Sequence, residues 1–150
     1  MKSIEFFDKS LGTWKSFRTY MYPLSNKIET LETEFTWENI QPFVYTVKWG
    51  SEKGQGSLNL KLVEDKLIER NAGYFTDKPT ISNIIEVNPT YLQTETTYNN
   101  TIYLETIEFF SANHRARRTV GYKQLEDGAR GQVILSGSYQ ERKIREGFFI

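Results

Sequence analysis

Cysteine is absent from the 150 residues, and His114 is the single histidine. Without thiols, a disulfide, a thiolate metal ligand and a cysteine nucleophile are all excluded. With one imidazole, a multi-histidine metal site or a Ser-His-Asp triad is very hard to build. We therefore expect no metal site and no tightly bound cofactor.

An excess of charge is also missing, because 19 Lys and Arg balance 19 Asp and Glu. No positive field is available to hold a phosphate backbone, so we expect no nucleic-acid partner. No apolar run is long enough to cross a bilayer, so we expect no membrane association. The segment Met1 to Gly12 lacks an apolar signal core and an Arg-rich transit pattern, which favours a cytosolic protein.

Aromatic residues are plentiful, at 15% of the chain, and they alternate with polar ones as in half-buried strands. Turn residues separate the alternating stretches. The predicted strands are Trp14–Tyr22, Ile28–Trp37 (helix being the alternative), Phe43–Trp49, Leu58–Leu62, Lys66–Asn71, Ile81–Val87, Tyr91–Tyr98, Thr101–Phe110, Arg115–Tyr122, Gln132–Tyr139 and Glu141–Phe149.

Only the N-terminus predicts a helix, which Ser3 would cap and Gly12 would end. The chain is then a single domain, residues 1–150, of roughly ten short antiparallel strands behind one short helix. This pattern is typical of a meander that closes into a barrel or a sandwich. Loops are predicted at Gly50–Gly54 and Asp77–Pro79.

The stretch from Tyr103 to Tyr122 predicts a hairpin that turns at Ser111–Asn113. Side chains alternate along a strand, so Arg115 and Arg117 share a face, which Glu105 of the first arm can join. Inside a cavity, the guanidiniums would suit a carboxylate and Glu105 would accept hydrogen bonds from ligand N–H groups. The alternative is a surface ion pair across two strands.

Other aromatic and charged residues are candidates for the same cavity. Arg18 shares the face of Trp14, and Trp49 ends an alternating strand, so an anion contact and an aromatic wall could result. The alternative places Trp14 and Trp49 in the core. Glu141 could join the cavity, or it could be a solvated surface carboxylate.

At these residues the chain resembles the S-type phycobiliprotein lyases, the CpcS/CpeS-like chromophore lyases of cyanobacteria and cryptophytes. The resemblance is carried by three dense motifs and a looser one, Ser138 with Glu141. The dense motifs are Phe6-Phe7, Ser10, Gly12, Trp14, Ser16 and Arg18-Thr19; then Val47-x-Trp49; then Glu105, Phe109, Ser111, Asn113, Arg115 and Arg117.

The resemblance implies a lipocalin-like or fatty-acid-binding-protein-like barrel of about ten antiparallel strands, with a helix that plugs one end. It also implies that an open-chain tetrapyrrole (a bilin) is bound and delivered to a cysteine of an apo-phycobiliprotein subunit. By position, Glu105 and Arg115 would be catalytic. The bilin-binding residues would be Arg18, Trp14, Trp49, Arg117 and Glu141.

The expected activity is that of a bilin lyase that forms a thioether on the partner's cysteine, with phycoerythrobilin favoured over phycocyanobilin and phycoerythrin as the acceptor. The alternatives are a non-catalytic carrier of a hydrophobic carboxylic acid and an interaction domain with a filled core. The expected location is the cyanobacterial cytosol, or the plastid stroma of a eukaryote after loss of a transit peptide. Long antiparallel strands also allow a homodimer.

Overall fold

The predicted strands are present in the computed structural model of the chain, which describes residues 1–51, 54–71 and 78–147. One helix, α1 (Lys2–Lys9), precedes ten strands. The strands are β1 (Gly12–Tyr22), β2 (Lys27–Gln41), β3 (Val44–Ser51), β4 (Gly54–Val63), β5 (Leu67–Arg70), β6 (Thr80–Asn88), β7 (Tyr91–Tyr98), β8 (Thr101–Ser111), β9 (His114–Gln124) and β10 (Arg130–Glu146).

The strands form a closed antiparallel barrel in the order β1-β10-β9-β8-β7-β6-β5-β4-β3-β2. Each strand pairs with its neighbours in sequence, and β1 closes the barrel by pairing with both β2 and β10. The predicted ten-stranded barrel with a short N-terminal helix is therefore confirmed, and the sandwich is excluded. Asn99 and Asn100 adopt φ of 53° and 57° in the β7–β8 turn, as a two-residue hairpin requires.

One predicted division between strands is wrong. The separate strands at Gln132–Tyr139 and Glu141–Phe149 are one strand, β10, because Gln140 keeps its pairing with Phe17 and Ala116 and no turn residue interrupts the run. The predicted strand Ile28–Trp37 is confirmed as part of β2, whose side chains alternate between more and less buried positions, so the alternative of a helix is excluded. Phe149, the Glu52–Lys53 part of one predicted turn and Asp77 of a predicted loop lie outside the described residues.

Helix α1 covers one end of the barrel and completes its core. Phe6 and Phe7 are buried, with Phe6 packed on Phe109 and Phe7 on Trp37 and Tyr45, at ring-centroid distances of 5.3–5.4 Å. Among the described residues, fourteen buried side chains form the core beneath the helix, and they come from α1, the link to β1 and most of the strands. The opposite end of the barrel therefore remains the route to the interior.

The predicted capping of α1 is wrong at both ends. Ser3 lies inside the helix, and its amide and hydroxyl donate to Asp65 Oδ1 at 2.9 and 2.6 Å, so a residue of the β4–β5 turn satisfies the helix N-terminus. The helix ends at Lys9, and Gly12 instead begins β1 with φ of +124°. A Cβ at Gly12 would overlap the carbonyl oxygen of Arg145, so glycine permits close pairing there.

Candidate functional site

A partly open cavity of about 230 Å³ occupies the barrel interior above α1. Most of its wall is aromatic or aliphatic, and the charged groups are few. It is lined by Phe7, Arg18, Tyr20, Phe35, Trp37, Val47, Trp49, Leu58, Leu60, Arg70, Leu92, Tyr103, Glu105, Ile107, Arg117, Thr119, Leu135 and Tyr139. An apolar cavity with a few polar groups is the usual setting for a small ligand, and its presence rules out a completely filled core.

Glu105 and Arg117 form a buried ion pair in this wall. Arg117 Nη2 donates to Glu105 Oε2 at 3.1 Å, and the two side chains are each 8% exposed. The Thr119 hydroxyl donates to the same carboxylate oxygen at 3.3 Å. The predicted inward face of the hairpin is therefore confirmed for both residues, and the surface ion pair is wrong for them.

Arg18 projects from β1 into the same part of the cavity. Its Nε donates to Ser16 Oγ at 3.1 Å, its Nη1 lies 3.5 Å from the Tyr20 hydroxyl, and its guanidinium carbon lies 4.9 Å from the centre of the Tyr139 ring. Among the described residues, no carboxylate pairs with Arg18. A cation that faces an apolar cavity with neutral partners is well placed to bind an anion.

Trp49 supplies an aromatic wall near the uncovered end of the barrel, where it is 38% exposed. Gly56 faces Trp49 on β4, and a Cβ at Gly56 would overlap the indole ring. Glycine therefore makes room for the ring. Tyr103 of β8 is a second aromatic residue of the lining, and burial raises the pKa of its hydroxyl. The cavity can thus accept a flat, conjugated ligand.

Arg115, Glu141 and Trp14 are outside the lining of this cavity, although they are buried beside it. Arg115 Nε donates to Glu141 Oε1 at 2.8 Å, and both side chains are fully buried. Arg115 Nη1 donates to Ser10 Oγ at 2.9 Å, and the guanidinium carbon lies 4.6 Å from the centre of the Trp14 ring. This group joins the barrel wall to the C-terminal end of α1.

Burial lowers the pKa of the Arg115 guanidinium, and the Glu141 carboxylate opposes that shift. The alternative of a solvated Glu141 is wrong, and Trp14 lies in the core. Glu141 Oε2 also lies 3.7 Å from Arg117 Nη1. An ionic chain therefore runs from Glu105 through Arg117, Glu141 and Arg115 to the helix, and only its first two members line the cavity.

Comparison with known proteins gives matches over nearly the whole chain. A solved S-type phycobiliprotein lyase, CPES from Guillardia theta, superposes with a TM-score of 0.69 and 16% identity, over 95% of this chain and 93% of that protein. "Putative chromophore lyase CpcV" from Picosynechococcus sp. is 24% identical over 174 aligned positions, which cover 95% of this chain and 81% of the relative. The predicted resemblance is confirmed. The chain has the fold of this S-type lyase and is similar in sequence to a chromophore lyase.

A second solved structure also has this fold. A protein of unknown function from the DUF3598 family of Nostoc punctiforme superposes with a TM-score of 0.66 and 10% identity, over 91% of this chain and 48% of that one. No family model matches the sequence. The likeness in fold thus comes from the superpositions, and the likeness in sequence comes from the CpcV relative.

The S-type lyase-like barrel has cavity residues that the sequence analysis missed. Arg70 enters from β5, and Tyr139 and Thr119 join the charged wall. The signal for Arg70 was the alternation in Leu67–Arg70, because Arg70 shares the face of the buried Ile68. No group of three or more metal-ligating side chains occurs in the described ranges, and none of their helices is long and apolar enough to cross a membrane.

Proposed function

We propose that this chain is a phycobiliprotein lyase, which binds a bilin in the barrel and delivers it to a cysteine of an apo-phycobiliprotein subunit. The observation that carries the proposal is Arg18, a guanidinium with neutral partners in a largely apolar cavity, beside the Glu105–Arg117 pair. A bilin has propionates that suit arginine, pyrrole nitrogens that suit a carboxylate, and a long conjugated body that suits aromatic walls.

The residues of the cavity would hold the bilin in position and stabilise its charge. Arg18 and Arg117 would hold a propionate, Trp49 would contact the conjugated rings, and Glu105 would stabilise the protonated, electrophilic form of the bilin. The partner's thiolate would then add to the ethylidene or vinyl group of ring A. One carbon–sulfur bond forms, the thiol proton ends on the bilin, and nothing leaves, so no oxidant is needed.

The acceptor thiol has to come from the partner, because these 150 residues contain no cysteine. We propose phycoerythrobilin as the bilin and a phycoerythrin subunit as the acceptor, in line with the CPES-like branch of the resemblance. Arg115 and Glu141 would affect transfer through the position of Arg117 and the seating of α1, without touching the bilin.

The deciding experiment has two stages. Titration of the purified protein with phycoerythrobilin should give a sharpened, red-shifted visible band, and an unchanged spectrum would overturn the proposal. Apo-subunits of phycoerythrin and phycocyanin are then added, and bilin that survives denaturation is detected by zinc-induced fluorescence. Attachment should be faster than with subunit and bilin alone, whereas binding without faster attachment would indicate a carrier.

Two variants connect the titration to the site. Arg18→Met should weaken bilin binding by about 1.5–3 kcal/mol, the contribution of a hydrogen bond to a charged group. Arg118→Met is the matched control, because Arg118 is exposed on the outer face of β9 beside Arg117. Equal losses in both variants would show that Arg18 has no specific role.

A further inference from the structure

A third arginine, Arg70, enters the cavity from the wall opposite Arg18 and the Glu105–Arg117 pair. In the barrel order, β5 lies directly opposite β10, with four strands between them in either direction. Arg18 and Arg117 are on the two strands that flank β10, and their guanidinium carbons lie 4.9 and 5.0 Å from the centre of the Tyr139 ring of β10. Arg70, the last residue of β5, therefore lines the cavity from the far side.

The inward direction of Arg70 is set by its neighbours in the sheet. It pairs with Leu60 of β4 and Thr80 of β6, both of which are buried. Arg70 Nε donates to the buried hydroxyl of Ser82 at 2.9 Å, and Ser82 Oγ lies 2.5 Å from Thr96 Oγ1. The hydrogen bond to Ser82 therefore orients the guanidinium of Arg70 at the cavity wall.

The charged side chains on the two opposite walls of the cavity indicate which class of ligand it can bind. In the part of the chain that the structure describes, the lining carries three guanidiniums, of Arg18, Arg70 and Arg117, and the single carboxylate of Glu105. Glu105 is engaged with Arg117. A cavity that is otherwise largely apolar and has cations on opposite walls suits a ligand with two separated carboxylates.

We propose that Arg70 binds the second carboxylate of the ligand, so that the barrel selects a flat dicarboxylate held from both walls. This inference rests on the proposed function, in which the two acids are the two propionates of the bilin. Arg18 is the contact for the first propionate and Arg70 for the second. The residue is therefore a specificity determinant, which distinguishes a ligand with two acids from one with a single acid.

The test compares phycoerythrobilin with its propionate dimethyl ester in the wild-type protein, Arg70→Met, Arg70→Lys and the exposed control Arg118→Met. Arg70→Met should weaken binding of the diacid by about ten- to a hundredfold and leave binding of the diester within about twofold. Arg70→Lys should recover part of the loss, because the charge is retained. Equal weakening of diacid and diester, or none, would overturn the inference. Circular dichroism of each variant confirms that it is folded.

A second pair of ligands separates this inference from the proposed function. A long-chain dicarboxylic acid and the monocarboxylic acid of equal length are compared as displacers of a fluorescent apolar dye. The wild-type protein should prefer the diacid, and Arg70→Met should lose the preference. If no bilin binds but this preference holds, the proposed function falls and the inference stands. If bilin binds and neither ligand pair shows an effect of Arg70, the inference alone falls.

Discussion

Two arginines two positions apart on β9 point to the same face but have different surroundings. Arg117 borders the cavity, whereas the fully buried Arg115 is enclosed by Glu141, Ser10 and Trp14. Arg115→Met should therefore act mainly on folding, because it leaves the buried Glu141 carboxylate without its closest cation. We expect a loss of about 3–5 kcal/mol in the free energy of unfolding, measured by urea denaturation.

The double variant Arg115→Met with Glu141→Leu is the control for that prediction, because it removes the uncompensated charge as well. Its unfolding free energy should lie above that of Arg115→Met alone. If Arg115→Met instead retained wild-type stability and lost bilin affinity, Arg115 would be a direct ligand contact.

Glu105 is the one carboxylate among the described residues of the lining, so its charge can be tested separately from its shape. Glu105→Gln retains the volume and can still accept hydrogen bonds from Arg117 and Thr119. We expect the fold to be kept and the red shift of bound bilin to shrink, because the positive charge of the protonated bilin loses its counter-ion. Absorption spectra measure the shift. Glu108→Gln, an exposed change on the same strand, should leave the spectrum as in the wild type. A full red shift in Glu105→Gln would contradict the role of Glu105 as the counter-ion of the bilin.

The inward face of the hairpin could be predicted from the sequence because alternation along a strand fixes which side chains share a face. Alternation explains the agreement for Glu105, Arg117 and Arg18. It could not separate Arg117 from Arg115, because that difference depends on how far along the barrel α1 reaches. The contact of Arg115 with Ser10 joins residues 105 positions apart, and no local pattern encodes it.

At the scale of elements, α1 is held at its N-terminus by a carboxylate from the β4–β5 turn. Asp65 accepts hydrogen bonds from the Ser3 hydroxyl and from the Ser3 and Lys2 amides, and these bonds hold its pKa below the ordinary value of 3.8. A carboxyl with a lowered pKa in the folded state contributes stability that is complete above its unfolded pKa. That stability is lost as the pH falls through the folded value.

Asp65→Asn should therefore lower the free energy of unfolding by about 0.3–1 kcal/mol at neutral pH, because the amide oxygen can still accept hydrogen bonds but the negative charge at the helix N-terminus is lost. The difference from the wild type should narrow as the pH is taken below 4, where the wild-type carboxyl becomes protonated as well. Urea denaturation at a series of pH values gives both quantities. Glu64→Gln, a change at the adjacent exposed residue, should change neither the unfolding free energy at neutral pH nor its dependence on pH by much. A constant difference at all pH values would mean that the charge of Asp65 is irrelevant.

The contact between Asp65 and Ser3 also shows which features of the elements cannot be predicted from local sequence. Strand alternation and the Asn99–Asn100 turn are local properties, and the structure agrees with both. Ser3 was assigned as a cap because serine usually caps from the first position of a helix. Its actual partner is about sixty residues away in sequence and reaches the helix only after the barrel has closed.

For the whole molecule, closure makes the barrel one cooperative unit, because β1 pairs with both β2 and β10 and α1 packs on the common core. We expect a single thermal transition, with far-ultraviolet circular dichroism and tryptophan fluorescence coincident. Trp14 and Trp37 report the covered end and Trp49 the uncovered one. Two separated transitions would contradict the cooperative unit.

A bilin that binds only the folded barrel should raise the temperature of that transition. At a free concentration one hundred times the dissociation constant, the stabilisation is about 2.7 kcal/mol. For a chain of this size that corresponds to roughly 5–11 °C. Arg18→Met should need about ten times more bilin for the same rise if its guanidinium contributes at least 1.5 kcal/mol to binding. The rise is measured by tryptophan fluorescence during heating, with the bilin diester as the comparison ligand. If diacid and diester raised the transition temperature equally in the wild-type protein, the guanidiniums that line the cavity would not be binding carboxylates.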